Sequence, residues 1–368
     1  MKTSLKLTVA AMALASSSVM ATTYAVDGRT DAMGGAGTAA ADYLTGAFYN
    51  PALVALYTRK DDAGILIPGI GVQLNDQDSM LDDVDELQKA INNSDVAGIN
   101  QKLNDLEGDE FYLGAGATFA IAIPNRYLST NIFAKTYLES YARPVIDTAN
   151  YNNSDITMVA FGLTEVGVAF AKYFNILGQH ISLGVSPKMQ RFYTYNYATK
   201  IENFDTDGFD TNETKDSAVN FDVGAVWFYG PFRIGVAGKN MVDQSLETAS
   251  VTATNTYQYT YELNRQVTAG VAFVGSFTTL SADMDLIEQT RFTGIDDDVQ
   301  MLRFGAEFDI FGQLQLRGGF STDMSSNIED TISAGIGFSP LGIVNVDVAL
   351  SYAGENSYGG AVNLALGY

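Results

Sequence analysis

Eleven charged side chains stand at alternate positions of otherwise apolar runs: Lys188, Asp222, Arg233, Lys239, Asp283, Asp285, Arg303, Glu307, Asp309, Arg317 and Asp347. Alternate positions of a strand share one face, so these acids and bases line a common surface. Charges withdrawn from water need partners. The chemistry expected of them is ion pairing, with one another (Arg303 with Glu307 or Asp309, for example) or with a segment packed inside. Electrostatic selection of a permeating solute is the further expectation.

Other chemistry is sparse. The chain of 368 residues has one His and no Cys, which excludes a disulfide scaffold, a thiolate metal site and a thiol redox role. His180 falls at a strand start beside a short turn, with no Ser or acid arrangement that marks a catalytic base. It reads as a rim histidine, so neither enzymatic activity nor a cofactor is expected. Asp205, Asp207, Asp210 and Glu213 offer oxygen ligands for Ca²⁺, but Gly208 sits at the fourth position rather than the EF-hand sixth, and a solvated acidic loop is the expected reading. With 43 acids against 21 bases and a formal net charge of −22, the chain lacks the basic stripe of a nucleic-acid binder.

The elements that position these residues are written in twos. Val344, Val346, Val348, Leu350 and Tyr352 share one face while Asn345, Asp347, Ala349 and Ser351 share the other. A soluble sandwich has the same period. Here, however, the second face mixes small residues with isolated charges, and the connections fall into two length classes. Strands are expected at 63–75, 110–123, 130–142, 156–171, 180–200, 218–229, 232–243, 264–274, 278–290, 298–310, 314–322, 330–339, 343–353 and 358–368. Short turns alternate with longer or acidic connections, 201–217 and 244–263 among them. The fold class is therefore all-β, a roughly 14-stranded antiparallel transmembrane β-barrel.

Residues 1–25 read as a signal peptide: Lys2 and Lys6 precede the apolar run Leu7 to Ala15, and cleavage is expected after Ala25 or Ala21. Removing it takes the formal charge from −22 to −24. Tyr358, Val362, Leu364, Leu366 and Tyr368 share a face of the last strand, an aromatic C-terminal insertion signal with Asn363 where Gly is often seen. Pro187, inside the fifth strand, is read as the one clear breaker and is expected at a bulge or strand kink.

Two segments break the alternation. Residues 78–107 have helical spacing (Leu81, Val84, Leu87, Ile91, then Ile99, Leu103, Leu106), with Asp78 as expected N-cap and Asn92-Asn93-Ser94 between two helices. Residues 26–60 precede the first strand and carry Met33-Gly34-Gly35-Ala36-Gly37 and Tyr49-Asn50-Pro51-Ala52-Leu53. Small residues let backbone pack closely on a wall, and Asn50-Pro51 forces a turn. The domains are thus 1–25 signal, 26–60 hatch or plug, and 61–368 barrel including the insert 78–107.

These motifs resemble the FadL/TodX superfamily of outer-membrane transporters, in which an N-terminal hatch folds inside a 14-stranded barrel. Within it, Ala41-Asp42-Tyr43-Leu44-Thr45, Tyr49-Asn50-Pro51-Ala52-Leu53 and Leu81-Asp82-Asp83-Val84-Asp85 are most similar to proteins described as conjugal transfer protein TraF. That name also covers a thioredoxin-like periplasmic protein, which a chain without Cys does not match. The resemblance implies a bacterial outer-membrane location among lipid and lipopolysaccharide, delivery by the barrel-insertion machinery, and a small hydrophobic molecule bound or passed through a hatch-gated barrel. It also implies a hydrophobic extracellular groove and a side opening at a kinked strand, for which Pro187 is the candidate. The acidic character of the long loops speaks against a greasy groove. The alternatives are a conjugation or cell-surface partner bound through the helical insert and acidic loops, and a general diffusion porin.

Overall fold

Alternation dictates strands here because each run offers lipid-compatible side chains on one face only. In β17 (Val344–Gly354), Val348 and Leu350 are exposed on the outside while Asp347 and Ala349 are buried on the inside. The structure, a computed structural model, describes residues 26–57, 63–76, 78–148, 150–204 and 212–367. The expected signal peptide, Asp205, Asp207, Asp210 and Tyr368 lie outside the described residues.

In chain order the strands are β1 (Gly64–Asn75), β2 (Phe111–Ile123), β3 (Ser129–Val145), β4 (Asp155–Ile176), β5 (Gln179–Lys200), β6 (Glu213–Tyr229) and β7 (Phe232–Lys239). Four short ones follow: β8 (Gln244–Glu247), β9 (Val251–Thr252), β10 (Thr256–Tyr257) and β11 (Thr260–Leu263). Then come β12 (Gln266–Val274), β13 (Thr278–Asp285), β14 (Met301–Ile310), β15 (Leu314–Asp323), β16 (Thr331–Phe338), the β17 already named, and β18 (Ser357–Gly367). Fourteen of them, all but β8–β11, form a closed antiparallel barrel in which β18 pairs with β1. Closure leaves no open sheet edge, the condition for backbone to cross a bilayer with strands. No helix among the described residues is long and apolar enough to cross a membrane.

The segment 244–263, expected as plain loop, folds instead as two small hairpins, β8 with β11 and β9 with β10. Short β-pairings of this kind form where a larger surface supports them, and that surface is the barrel mouth.

Residues 26–57 lie inside the barrel. Helix α1 (Gly28–Ala32) packs on β15–β18, and the 3₁₀ turn Pro51–Ala55 after α2 (Gly46–Tyr49) packs on β3–β6. The segment therefore crosses from one wall to the other. The insert forms α3 (Met80–Asn92) and α4 (Val96–Asp105), whose Met80, Val84, Leu87, Ile99 and Leu103 bury against Phe111, Ala142, Ile156 and Ile201 at the strand ends. Its first helix departs from expectation at the cap: Ser79, at φ 60, takes the N-cap position instead of Asp78. Asp95 caps the second helix by accepting from Gly98 N. Lys102 on α4 reaches Asp83 at 2.9 Å and Glu86 at 2.7 Å on α3.

Candidate functional site in the barrel lumen

At the N-terminal end of the luminal segment, Asp27 caps α1 by accepting from Arg29 N and Thr30 N. Gly28 N then donates to Asn363 Oδ1 at 2.6 Å. Arg29 places Nε and Nη2 on the two oxygens of Glu307, 2.8 and 2.9 Å, and Nη1 on Ala40 O at 2.9 Å. Glu307 also accepts from Arg317 Nε at 2.7 Å, and Arg317 Nη1 donates to Asp347 at 2.6 Å. Asn363 Nδ2 closes the loop on Asp347 at 3.1 Å. Six residues, Gly28, Arg29, Glu307, Arg317, Asp347 and Asn363, thus form one continuous polar ring, four of them charged, that clamps the segment to β14, β15, β17 and β18.

The other end is held by the Asn50-Pro51 turn. Asn50, fully buried, donates from Nδ2 to Thr38 O at 3.0 Å and to Ala225 O at 3.3 Å, while its Oδ1 accepts from Ala52 N. Ser182 Oγ donates to Ala52 O at 2.7 Å, and Thr38 N donates to Asp283 at 2.7 Å. Two wall positions admit the plug only because they lack a side chain. A Cβ on Gly319 would stand 2.1 Å from Gly34 N, and one on Gly184 would stand 2.3 Å from the Pro51 carbonyl carbon. Met33 is buried beside Gly34, which with Gly35 takes positive φ (67° and 82°) to make the turn. Gly37 lies against the Tyr49 ring.

Beyond the plug, a second polar group joins β3 to β7. Lys135 and Lys188 both reach Glu165, at 2.8 and 3.0 Å, and Lys188 reaches Asp222 at 2.9 Å. Asn240 ties to Lys188 and Asp222, and Gln190 bonds Glu165 and Asn220. Lys239 lies over the Tyr49 ring at 5.5 Å. Arg303 puts Nη1 and Nη2 on Asp285 at 3.0 and 2.9 Å.

The third layer is aromatic and lies at the mouth. Tyr261, carried by β11, stacks on Phe161 and meets Phe292 edge-on at 4.8 Å. Phe192, Tyr259, Leu263 and Ile295 complete a buried apolar cluster. Beneath it Glu139, fully buried, accepts from Tyr261 OH at 2.6 Å and from Tyr137 OH at 3.2 Å, with Arg291 at 3.6 Å. Arg291 Nη1 also donates to Tyr141 OH at 2.6 Å. Burial pushes the Asp297 carboxyl in the same loop up to about 8; Arg291 opposes this and Glu139 adds to it. Its oxygens accept from Phe292 N at 3.1 and 3.2 Å.

All eleven alternating charges take the inward side of their strands, and several sequence expectations are corrected in detail. Arg303 pairs with Asp285 on the neighbouring strand, not with Glu307 or Asp309. Along a strand, four residues span about 13 Å, too far for a pair. Asp309 instead accepts from Gly312 N at 2.7 Å, and Arg233 lies over Phe228. Pro187 makes no bulge. The β4–β5 ladder omits Val168 and Ala169 and resumes in unchanged register from Gly167–Lys188 to Phe170–Val185, while β5–β6 pairing runs through Pro187–Phe221. A bulge lies instead at Pro68-Gly69 in β1, where register shifts against both neighbours, and a further register shift falls between Tyr352 and Gly354 in β17. Tyr358, Val362, Leu364 and Leu366 lie in β18, the strand that closes the barrel. His180 contacts Tyr173 through Nδ1 at the short-turn end, and Glu213 pairs with Lys215 at 3.6 Å.

The mouth residues Glu139, Phe161, Tyr261, Arg291 and Phe292 were not singled out by sequence. A signal existed: Tyr257, Tyr259 and Tyr261 alternate within a stretch of Thr, Asn and Gln that holds only two acids, Glu247 and Glu262.

A closed 14-stranded barrel with its N-terminal segment clamped in the lumen defines the class: a plugged transmembrane β-barrel. The chain belongs to the family described as F plasmid transfer operon, TraF, protein, whose profile matches residues 47–285. No curated protein sequence matches it. Among solved structures, the Ralstonia pickettii toluene transporter TbuX is similar in fold at 11% identity, with 94% of this chain and 99% of that chain covered and a TM-score of 0.61. The P. putida toluene transporter TodX gives 10% identity over 94% and 99%, TM-score 0.54. A Pseudomonas aeruginosa FadL homologue gives 11% over 96% and 99%, TM-score 0.53.

Proposed function

We propose that the chain is a bacterial outer-membrane channel that binds and passes small hydrophobic molecules, with the luminal segment as its hatch. The observation that carries the reading is the aromatic cluster of Phe161, Phe192, Tyr259, Tyr261 and Phe292 at the mouth of a plugged barrel. Acidic loop sequence argued against a greasy entrance, yet the loops fold their aromatic residues inward, where an apolar solute meets ring faces. Similarity in fold to the toluene transporters TbuX and TodX supports the same class of solute. A hydrophobic solute leaving through the wall would use the interrupted β4–β5 pairing beside Pro187 or the β1 bulge at Pro68. Among the described residues the interior surfaces carry paired charges and aromatic rings, a lining that supports a transport role.

The test is uptake of a labelled monoaromatic hydrocarbon and of a long-chain acyl probe by proteoliposomes. Wild type is expected to accelerate uptake of one of them, and Tyr261→Ala to change the rate. Equal, background uptake by wild type, Tyr261→Ala and Pro187→Ala would refute the reading.

A second reading has its own observation. Helices α3 and α4 form an acidic domain on the barrel rim, and the family name is that of a conjugal transfer operon protein. In this reading the insert docks a cell-surface or conjugation partner. Deleting 78–107 would then abolish mating or contact while leaving a heat-modifiable barrel, and an unchanged phenotype would remove it.

A further inference from the structure

Six short turns join strands at the end of the barrel opposite the insert: 124–128, 177–178, 230–231, 275–277, 311–313 and 339–343. Turns that project into water favour Asn, Asp and Gly. Each of these keeps a Gly or Asn, but at or beside it stands a large apolar side chain. Leu177 is 98% exposed and Phe311 87% exposed at the turn tips, and Tyr127, Tyr229, Phe277 and Ile343 are exposed at or beside the others.

Two of these residues occupy backbone that bulky side chains avoid. Leu177 has φ 54 before Gly178 at φ 79, and Phe311 has φ 57 before Gly312 at φ 70. Paired positive φ is the geometry that normally selects Asn-Gly or Asp-Gly, and a branched or aromatic residue there is disfavoured. The far end of the barrel follows the usual preference: Asn356, φ 54, makes the turn between β17 and β18.

Charge divides the two ends as well. In a chain of net charge −22, none of the six turn segments contains an acid, and Arg126 is their one charged residue. The nearest carboxylate along the chain from Phe311, that of Asp309, is engaged with Gly312 N.

The outer face is continuous with these tips. On β5 the outward apolar run is Ile181 to Met189, bounded above by exposed Arg191. At about 3.3 Å per residue and about 40° tilt this run is about 20 Å tall, short of the roughly 25 Å band of an outer-membrane barrel. Extending it down to the Leu177 turn supplies the missing height. The run Leu302 to Ile310 on β14 is equally short, and Phe311 extends it in the same way.

We propose that these six turns form a phospholipid-docking surface, seated in the interfacial layer of the inner leaflet, with Leu177 and Phe311 as anchors. This rests on the outer-membrane reading above. Apolar tips gain from burial at the headgroup–acyl boundary, Arg126 meets anionic headgroups, and the absence of acids removes repulsion from them.

The test is fluorescence in vesicles of phosphatidylcholine and phosphatidylglycerol carrying brominated acyl chains. In a Trp227→Phe background, single tryptophans are placed by Leu177→Trp, Phe311→Trp, Leu350→Trp (outer face of β17) and Asn356→Trp (opposite end). The two turn tryptophans are expected to lose emission to brominated lipid as strongly as Leu350→Trp and to resist aqueous iodide, while Asn356→Trp shows the reverse. If Leu350→Trp is quenched by lipid but both turn positions are quenched by iodide alone, the turns project into water or onto a protein, and the docking surface is refuted. If Leu350→Trp is itself unquenched by lipid, the membrane reading falls first. Two independent turn positions keep the test decisive should one variant fail to fold.

Discussion

Arg29 of the luminal segment and Glu307 of β14 meet fork to fork, Nε to Oε2 at 2.8 Å and Nη2 to Oε1 at 2.9 Å. Both side chains are largely buried, and the pair joins plug to wall. Glu307 keeps Arg317 at 2.7 Å when Arg29 is removed, so the loss is smaller than the about 3 kcal/mol that a wholly orphaned buried charge costs. Arg29→Ala is therefore expected to loosen the plug while the barrel stays heat-modifiable, seen as higher single-channel conductance. Arg29→Lys should rescue little, since an ammonium cannot make the two parallel bonds. Wild-type conductance in Arg29→Ala would show that the clamp does not hold the plug.

The glycines under the plug give a steric test that leaves charge untouched. Gly319→Val places a side chain where Gly34 N now lies, 2.1 Å from the first added carbon. The plug has to withdraw from β15, and proteolysis between residues 26 and 57 should become faster than in wild type. The same substitution at Gly318, whose Cβ would meet nothing closer than 3.9 Å, serves as the control.

At the mouth, Tyr261→Phe removes the hydroxyl that donates to Glu139 and retains the stack on Phe161. A hydrogen bond to a charged group is worth about 1.5–3 kcal/mol. The loop carrying β8–β11 should open more often, and amide exchange at Tyr259 to Leu263 should quicken by about tenfold or more for that energy. Exchange unchanged from wild type would mean that the apolar cluster alone holds the loop.

Asp297 makes the loop after β13 pH-sensitive. Its carboxyl is raised from 3.8 to about 8 in the folded loop, so the folded form binds more protons than the open form between those values. Stability of this loop therefore falls as pH climbs from about 4 to about 8 and is constant beyond. Amide exchange at Phe292 and Ile295, corrected for intrinsic rates, should show the loop tighter at pH 5.5 than at pH 8.5, and Asp297→Asn should flatten that difference.

Much of this was legible in local pattern. Period two marked the strands and their outward faces, as at Val348 and Leu350 against Asp347 and Ala349, and the close-packing residues Met33 to Gly37 with Asn50-Pro51 marked the plug. Helical spacing marked α3 and α4, although the cap moved from Asp78 to Ser79. Pro68 was passed over because its neighbours Ile67 and Ile70 kept a run of apolar residues, and only the register shift against β2 and β18 shows the extra residue. The tyrosines of 257–261 make only a short alternation set among Thr, Asn and Gln, residues typical of loops.

What the sequence by itself determined is which face each strand residue takes, since side-chain direction follows from two consecutive peptide units. Which residues meet was decided by the tertiary structure. Arg303 and Asp285 are 18 positions apart and Arg29 and Glu307 are 278 apart, and both contacts depend on the register of neighbouring strands and the closure of the barrel. The same closure turned the 244–263 loop inward, so that its tyrosines cap the lumen while Glu247 faces solvent and Glu262 accepts from Asn264 and Thr290. Alternation is local and carries no record of partners. Partners arise only when β18 joins β1.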